Sequence, residues 1–313
     1  MHTQAVVLEE PGRISIADLA ICDPAEDDVI VEVERSGIST GTEKLLWSGK
    51  MPHFPGLAYP LVPGYETVGT VVEAGPESGR KAGDRVFVPG ANCYGEVRGL
   101  FGGAASHLVA AGRRTVVLSD AIGDEAILVA LAATAWHAID PERLRPPELI
   151  VGHGALGRLV ARTVIATGGK PPTVWEVDPR RRHGAEGYRV VDPAEDDRRD
   201  YHRICDVSGD ADILDTLIGR LARGGEIALA GFYDRRVSFS FPPAFMREAR
   251  MRVAAEWRPE DLVACTSFIE AGALSLKGLI THTATPAGVE DAYRTAFEDP
   301  ACLKMVLDWS KLS

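Results

Sequence analysis

Cysteine is scarce in this sequence, and its few copies follow no pattern typical of a cross-linked or metal-binding domain. The five cysteines are Cys22, Cys93, Cys205, Cys265 and Cys302, and no two of them form a Cys-x-x-Cys pair. This usage excludes a disulfide framework and fits a reducing, cytoplasmic location.

Long apolar runs and an excess of positive charge are also missing. No stretch approaches the roughly twenty apolar residues that a membrane-spanning helix needs, so no membrane segment is expected. The formal net charge of −11 argues against nucleic acid as a partner, because its phosphates would be repelled. A chain of 313 residues with ordinary hydrophobic content is instead typical of a globular protein with two domains.

The most informative segment is a glycine-rich turn. An apolar run at 149–151 enters a Gly-x-Gly-x-x-Gly motif, and a helical apolar pattern leaves it. The first glycine permits a tight turn, and the second lets backbone N–H groups approach a pyrophosphate at the helix N-terminus. The third lets the helix pack closely on the strand. We therefore expect a dinucleotide to bind at Gly152, Gly154, Ala155, Leu156 and Gly157.

An acidic residue follows at the distance that this interpretation requires. A second predicted strand, at 172–178, begins about twenty residues after the turn and ends in Asp178. A carboxylate there holds the adenosine ribose hydroxyls and would repel a 2′-phosphate, which favours NAD over NADP. Arg180, Arg181 and Arg182 favour the opposite choice, since a guanidinium in that place could pair with the phosphate.

Downstream of this strand the pattern continues as alternating strands and helices. Such alternation predicts an α/β fold with a doubly wound parallel sheet covered on both faces. Ser208 and Gly231 fall at predicted carboxyl ends of strands, where ligands bind, and they are further cofactor candidates. The stretch 192–200, rich in arginine and aspartate, is expected to be solvated surface. A C-terminal strand near 304–307 is expected to return to the β-rich first domain.

The order of these features resembles the medium-chain dehydrogenase/reductase superfamily along nearly the whole chain. The segments that carry the resemblance are Pro-Gly-Tyr-Glu-Thr-Val-Gly at 63–69, Gly-Asp-Arg-Val at 83–86, Gly-Gly-Ala-Ala-Ser-His at 102–107, and the pair 279–282 and 302–306. It implies a GroES-like, β-rich catalytic domain at 1–122 and 278–313, and a Rossmann dinucleotide-binding domain at 123–277. It also implies an active site in the cleft between the two domains and a homo-oligomer.

The departures from the superfamily pattern concern zinc. Ser39 stands where zinc-dependent members have a cysteine ligand, and Tyr65 replaces a histidine ligand. Zinc-dependent members also have a loop in which four cysteines bind a structural zinc ion. In the corresponding segment of this chain, between Pro89 and Gly102, Cys93 is the only cysteine. Because hydroxyls are poor zinc ligands compared with thiolate and imidazole, the sequence predicts a zinc-free member.

The segments 39–52 and 92–103 resemble a zinc-free family within the superfamily. Its members oxidise a 3-(1-hydroxyethyl) group on a bacteriochlorin ring to 3-acetyl with NAD, in bacteriochlorophyll biosynthesis. The resemblance implies a small-molecule substrate and makes Tyr65 the first candidate for contact with the alcohol oxygen. Glu66 is expected to orient Tyr65 or accept a proton, although a structural salt bridge is the alternative. Thr40 and Ser39 could donate or accept near the same oxygen, or simply cap a turn.

Two other readings of the sequence stay open. A zinc-free quinone or enoyl reductase using NADPH is compatible with the three arginines, and a non-catalytic nucleotide-binding subunit is compatible with the missing zinc ligands.

A chlorin ring would need an apolar and aromatic wall. The first-domain candidates for this wall are Trp47, Met51, Phe54, Tyr59, Tyr94 and Phe101.

Overall fold

The computed structural model describes residues 1–53, 55–139 and 146–311. The chain divides into two compact units. Unit 1 comprises Met1–Leu128 and Lys277–Ser313, and unit 2 comprises Val129–Leu276. The domain boundary predicted at 122 falls inside the 3-10 segment Asp120–Leu128, which belongs to unit 1.

The elements are numbered in chain order. The strands are β1 His2–Glu10, β2 Arg13–Ala20, β3 Asp28–Ile38, β4 Leu61–Val62, β5 Thr67–Ala74, β6 Arg85–Val88, β7 Arg98–Gly99, β8 His107–Ala111, β9 Val116–Val117, β10 Leu149–Val151, β11 Thr173–Trp175, β12 Arg189–Val191, β13 Tyr201–Asp206, β14 Leu221–Leu229, β15 Arg250–Val253, β16 His282–Ala284 and β17 Met305–Asp308. The helices are α1 Thr42–Trp47, α2 Val129–Ala138, α3 Ala155–Ala166, α4 Leu214–Arg220, α5 Phe241–Arg247, α6 Pro259–Glu270 and α7 Val289–Glu298. Within the described ranges, none of these helices combines the length and the apolar character needed to cross a membrane.

Unit 1 is built on β3, which pairs with β5, β8 and β17. Val29, Val31 and Val33 of β3 share one buried face, and on the other face Ile30 is buried while Glu32 is exposed. A sheet of order β16-β17-β3-β5-β6-β9 and a second of order β2-β1-β4-β7 enclose one apolar core. β17 runs antiparallel to β3, which confirms the predicted return of the C-terminal strand.

Unit 2 contains the parallel sheet that the alternating pattern predicts. Its strand order is β12-β11-β10-β13-β14-β15, and every neighbouring pair is parallel. β10 is the predicted run at 149–151 and is buried along its length, as a central parallel strand should be. After β10 the chain adds β11 and β12 on one side, and after β13 it adds β14 and β15 on the other side. The strand order thus reverses between β10 and β13, and ligands bind at the carboxyl ends of the strands at such a switch point.

The stretch at 192–200 is less solvated than its composition predicts. Asp196 is buried, and its carboxylate accepts hydrogen bonds from Trp175 Nε1 at 2.6 Å and from the Tyr201 hydroxyl at 2.7 Å. Burial alone would raise the pKa of Asp196, but these two donors, together with the Arg198 N–H and the Arg220 guanidinium, outweigh it and lower that pKa. The expectation of a fully solvated surface is therefore wrong at this residue, because the two aromatic donors of the sheet need an acceptor.

We expect Asp196→Ala to lower the free energy of unfolding by about 3 kcal/mol, because Trp175 Nε1 and the Tyr201 hydroxyl lose their buried acceptor. The matched control is Asp197→Ala, since Asp197 is the exposed neighbour, and we expect it to change stability by less than about 0.5 kcal/mol. Urea unfolding of both variants measures the difference. Equal midpoints for the two variants would refute the role given to Asp196.

Candidate active site

The pairing of β3 with β5 brings two of the predicted site hydroxyls together. Ser36 lies opposite Thr67, and the Gly37 amide donates to the Glu66 carbonyl at 2.8 Å, so the end of β3 and the start of β5 are adjacent. Ser39 Oγ and Tyr65 Oη consequently lie 2.8 Å apart, in hydrogen-bond contact. We call these two residues the hydroxyl pair.

Tyr65 is held in its neutral form by its surroundings. Burial raises the pKa of Tyr65, the nearby Glu66 and Glu43 carboxylates raise it further, and hydrogen bonds from the Ser39 and Thr42 hydroxyls oppose the rise only in part. The tyrosine is thus a hydrogen-bond donor and acceptor at neutral pH, rather than a phenolate. Thr40 is half buried beside Ser39, but among the described residues it makes no hydrogen bond to the hydroxyl pair.

Glu66 forms a buried ion pair behind Tyr65. Its Oε2 accepts from Lys304 Nζ at 2.6 Å, and Lys304 also lies 3.4 Å from the Ile38 carbonyl. The alternative that sequence analysis left open, a structural salt bridge, is therefore present. Glu66 Oε1 is buried and has no hydrogen-bond partner among the described residues.

Lys304 was missed by sequence analysis, although a signal was present. It is a single lysine that immediately precedes the apolar strand β17. A charged residue at the start of a strand that is buried along its length needs a partner of opposite charge, and the sequence contains one in Glu66.

Glu43 was also missed, and it is the second carboxylate behind the hydroxyl pair. It lies in the first turn of α1 and is 1% exposed. Its Oε1 accepts from the Ser39 backbone N–H at 3.1 Å, and its Oε2 accepts from the Tyr293 hydroxyl of α7 at 2.7 Å. Burial is the largest cause that raises the pKa of Glu43 to about 7; the two hydrogen bonds and Lys304 oppose it, while Glu66 adds to it.

Few members of the predicted aromatic wall lie near the hydroxyl pair. Phe101 does, since its ring meets that of Tyr65 edge to face with centroids 5.4 Å apart. Tyr94 is a core residue whose hydroxyl donates to the Gly102 carbonyl at 2.5 Å, and Met51 is also buried in the core. The remaining three are Trp47, which packs on Phe297, Tyr59, which donates to the Leu46 carbonyl, and Phe54, which lies outside the described residues.

The glycine turn of unit 2 leaves open space at the start of α3. Gly152 has a φ of +103°, which favours glycine, and a Cβ on Gly157 would lie 1.9 Å from the Gly152 carbonyl oxygen. A Cβ on Gly154 would meet nothing within 4 Å in the described part of the chain. Gly154 is also the N-cap of α3 and provides no side-chain hydrogen bond to it, so the first amides of the helix, which begins at Ala155 and Leu156, remain for a ligand.

Two carboxylates follow β11, because this strand ends earlier than predicted. β11 ends at Trp175, and Glu176 comes directly after it, with Oε2 accepting from the His153 N–H of the glycine turn at 3.0 Å. Asp178 lies two residues further and binds the Arg180 guanidinium through both oxygens, at 2.9 and 2.8 Å. The hydrogen bonds from Arg180 lower the pKa of Asp178 to about 2. Glu176, which sequence analysis missed, is thus the carboxylate in contact with the turn.

The loop after β11 is fastened to the turn by buried side chains. His153 Nδ1 lies 2.6 Å from the Arg181 carbonyl, and its Nε2 lies 2.8 Å from the Tyr188 hydroxyl. Burial lowers the pKa of His153 to about 4, so the ring is neutral, donating from Nδ1 and accepting at Nε2. Arg158 of α3 donates to the His153, Arg181 and His183 carbonyls.

Ser208 and Gly231 lie where the sequence placed them, beyond β13 and β14. Asp206, at the end of β13, connects both: its Oδ1 accepts from the Ser208 N–H at 3.0 Å and its carbonyl accepts from the Gly231 N–H at 3.1 Å. A Cβ on Gly231 would lie 3.0 Å from the Gly209 nitrogen, so the two loops approach closely. The Tyr233 hydroxyl covers the other Asp206 oxygen at 2.6 Å.

The donor set of unit 1 does not suit a catalytic zinc ion. At the two positions where zinc-dependent members have cysteine and histidine, this chain presents hydroxyls, which are poor zinc ligands. Throughout the described ranges, no group of three or more histidine, cysteine, aspartate or glutamate side chains is arranged to hold a metal ion.

Comparison with known proteins places the chain among dehydrogenases. Residues 25–120 match the model of the alcohol dehydrogenase GroES-like domain. The 2-desacetyl-2-hydroxyethyl bacteriochlorophyllide A dehydrogenase of Cereibacter sphaeroides is 56% identical, and that of Rhodobacter capsulatus is 57% identical, each over 99% of both chains.

Solved structures share the fold at lower identity. An oxidoreductase of unknown specificity from Escherichia coli superposes with a TM-score of 0.86 at 23% identity, covering 98% of this chain and 99% of the other. An Escherichia coli alcohol dehydrogenase in complex with NADH gives a TM-score of 0.83 at 20% identity, with the same coverage. Together with the two full-length relatives, these likenesses show that the chain belongs to the medium-chain dehydrogenase/reductase superfamily of oxidoreductases, in the family of the two bacteriochlorophyllide dehydrogenases.

Proposed function

We propose that this protein oxidises the 3-(1-hydroxyethyl) group of a bacteriochlorophyllide to 3-acetyl, with NAD as the hydride acceptor and without a metal ion. The observation that carries the proposal is the likeness, along the full length, to two dehydrogenases named for this pigment. The hydroxyl pair supports it, because Ser39 and Tyr65 present two hydrogen-bonding groups where zinc-dependent members bind their metal. In this proposal unit 1 binds the pigment and unit 2 binds the dinucleotide.

The residues of unit 2 support NAD as the cofactor. The open space over Gly154 and the uncapped first turn of α3 suit a pyrophosphate. Glu176 and Asp178 both place negative charge beside the expected ribose, which disfavours a 2′-phosphate. Two arginines are already engaged, Arg180 with Asp178 and Arg182 with Asp192. The bound nicotinamide would supply the hydride acceptor.

In the proposed reaction, side chains of unit 1 bind the carbinol oxygen and transfer its proton. Tyr65 Oη and Ser39 Oγ would bind the carbinol oxygen, the hydride would pass from the carbinol carbon to the nicotinamide, and the hydroxyl proton would pass along the hydroxyl pair and be released to solvent. The carbinol carbon is bonded directly to a conjugated macrocycle, which spreads the positive charge that develops there. The substrate thus reduces the need for the metal assistance that zinc gives to a simple alcohol. The Phe101 ring, against Tyr65, would face the pigment.

We also propose a homo-oligomer in the cytoplasm. β15 is the edge strand of the unit 2 sheet, and its Met251 and Val253 are 37% and 75% exposed. Phe241 and Phe245 of α5 are exposed as well. An unpaired sheet edge beside exposed apolar side chains is a liability in a monomer, and a second copy pairing along β15 would cover it. The five free cysteines fit a reducing compartment.

The central test is the absorbance change of 3-(1-hydroxyethyl) bacteriochlorophyllide a on addition of purified protein and NAD. We expect conversion to the 3-acetyl pigment, undiminished by a zinc chelator. Tyr65→Phe should lower kcat more than about tenfold, because a positioned acid–base hydroxyl is lost, while the Kd for NAD stays unchanged. No conversion by the wild type would overturn the proposed function, and full activity of Tyr65→Phe would remove this residue from the mechanism.

The cofactor assignment is tested with two carboxylate variants. We expect Asp178→Ala to weaken NAD severalfold and to relax discrimination against NADP. Glu176→Ala should weaken both dinucleotides by about tenfold, because the His153 N–H loses its acceptor and the turn is no longer held. Fluorescence titration measures the constants, with the exposed Glu195→Ala as control. A wild type that prefers NADPH and reduces a quinone or enoyl substrate would favour the reductase alternative.

For the oligomer, we expect Val253→Lys to shift the sedimentation coefficient of the protein to that of a monomer, since a lysine on an edge strand blocks pairing. Lys170, an exposed residue of unit 2, offers Lys170→Ala as the control that should leave assembly intact. A wild type that sediments as a monomer at micromolar concentration would contradict the proposal.

A further inference from the structure

Glu43 is a buried carboxylate behind the hydroxyl pair that has no part in the proposed reaction as stated above. It touches the pair through the backbone. Glu43 Oε1 accepts the Ser39 N–H, and Ser39 Oγ in turn contacts Tyr65 Oη. The position of the pair therefore depends on where this carboxylate holds the chain after β3.

A second helix holds the carboxylate in turn. The Tyr293 hydroxyl of α7 donates to Glu43 Oε2, and the Tyr293 ring packs on Phe297, which packs on Trp47 of α1. Lys44 Nζ also donates to the Phe297 carbonyl at 2.9 Å. α1 and α7 are thus joined by both polar and aromatic contacts, and Glu43 cannot turn away from Ser39 without breaking the bond to Tyr293.

The buried groups around Glu43 do not neutralise its charge. Tyr293 faces it from α7, Tyr65 and Glu66 from the residues before β5, and Lys304 from the residue before β17. Lys304 is already paired with Glu66. When Glu43 is ionised, the cluster holds two carboxylates and one ammonium, and the surplus negative charge acts on Tyr65.

We infer that Glu43 is a positioning residue of the proposed reaction: its carboxylate holds the Ser39–Tyr65 hydroxyl pair in place, and its ionised form is the active one. The inference rests on the proposed function. An ionised carboxylate accepts both donors, the Ser39 N–H and the Tyr293 hydroxyl, with full strength. A protonated one must itself donate from one oxygen, so one of these two bonds is weakened and the pair is less well fixed.

The pH dependence follows from this arrangement with a definite sign. The pKa of Glu43 is raised to about 7, so the ionised fraction falls from about 0.9 at pH 8 to about 0.1 at pH 6. We therefore expect kcat of the wild type to fall about tenfold between these two pH values, with little change in KM. Glu43→Gln keeps an oxygen for the Ser39 N–H but cannot ionise, so its kcat should be lower at pH 8 and nearly flat down to pH 6.

A second variant separates this role from a merely structural one. Tyr293→Phe removes a hydrogen bond that favours ionised Glu43, so the midpoint of the kcat profile should move to higher pH. The control for Glu43→Gln is Glu298→Gln, which makes the same change from glutamate to glutamine at the exposed end of α7. We expect this control to leave the pH profile of kcat unchanged. NMR titration of protein carrying 13C-labelled glutamate carboxyls follows Glu43 without any turnover; the signal should titrate near pH 7 and be absent in Glu43→Gln.

The outcomes separate the two proposals. A wild type that does not convert the pigment overturns the proposed function and this inference with it, whatever the NMR signal does. An active wild type whose tenfold fall survives in Glu43→Gln overturns this inference alone. If Glu43→Gln does not fold, Tyr293→Phe decides, and a midpoint identical to that of the wild type in both the kcat profile and the NMR titration overturns the role of Glu43.

Discussion

The buried ion pair between Lys304 and Glu66 connects three parts of unit 1. Glu66 precedes β5, Lys304 precedes β17, and the same ammonium group lies near the Ile38 carbonyl at the end of β3. Neither side chain is accessible to solvent, so removing one partner would leave an uncompensated charge at a cost of about 3–5 kcal/mol. Gly37 makes room for it, since a Cβ there would lie 2.3 Å from Glu66 Oε2. The Lys304–Glu66 ion pair therefore holds together the segments that carry Ser39 and Tyr65.

The charge balance behind the hydroxyl pair is opposite to that of a zinc site. A zinc ion stabilises an alkoxide, so it favours proton loss before hydride transfer. Here Glu66 is balanced by Lys304, and ionised Glu43 leaves a surplus of negative charge. Burial raises the pKa of Tyr65, and the Glu66 and Glu43 carboxylates raise it further. Such surroundings disfavour an alkoxide and favour positive charge on the carbon that loses hydride. In the proposed reaction this matches the substrate, because a conjugated macrocycle beside the carbinol stabilises that positive charge.

The sequence predicts the fold more completely than the site. The apolar pattern and the glycine turn were enough for β10 and α3, because these depend on local pattern and on close backbone packing. The return of β17 to β3 was expected from the C-terminal pattern of the superfamily, since no local pattern specifies so distant a pairing. Ser39 and Tyr65 could be paired only through the family motif, since they are 26 residues apart. Glu43 was missed because nothing in its sequence window shows that this carboxylate is buried, and Lys304 was missed although its place directly before an apolar strand was a signal. Asp196 was predicted to lie on the surface because its sequence neighbours are charged. Its contacts with Trp175 and Tyr201 depend on the fold and are not visible in the local sequence.

At the glycine turn of unit 2, His153 and Asp178 do not change charge near neutral pH. His153 has a pKa of about 4, so its hydrogen bonds to the Arg181 carbonyl and the Tyr188 hydroxyl are those of a neutral ring. Asp178 has a pKa of about 2 and stays ionised with Arg180. The geometry that these groups give to the loop after β11 is therefore constant across the neutral range. Glu43, whose pKa is raised to about 7, belongs to unit 1, so a pH effect on turnover that comes from Glu43 has a different physical origin from the contacts that hold this turn.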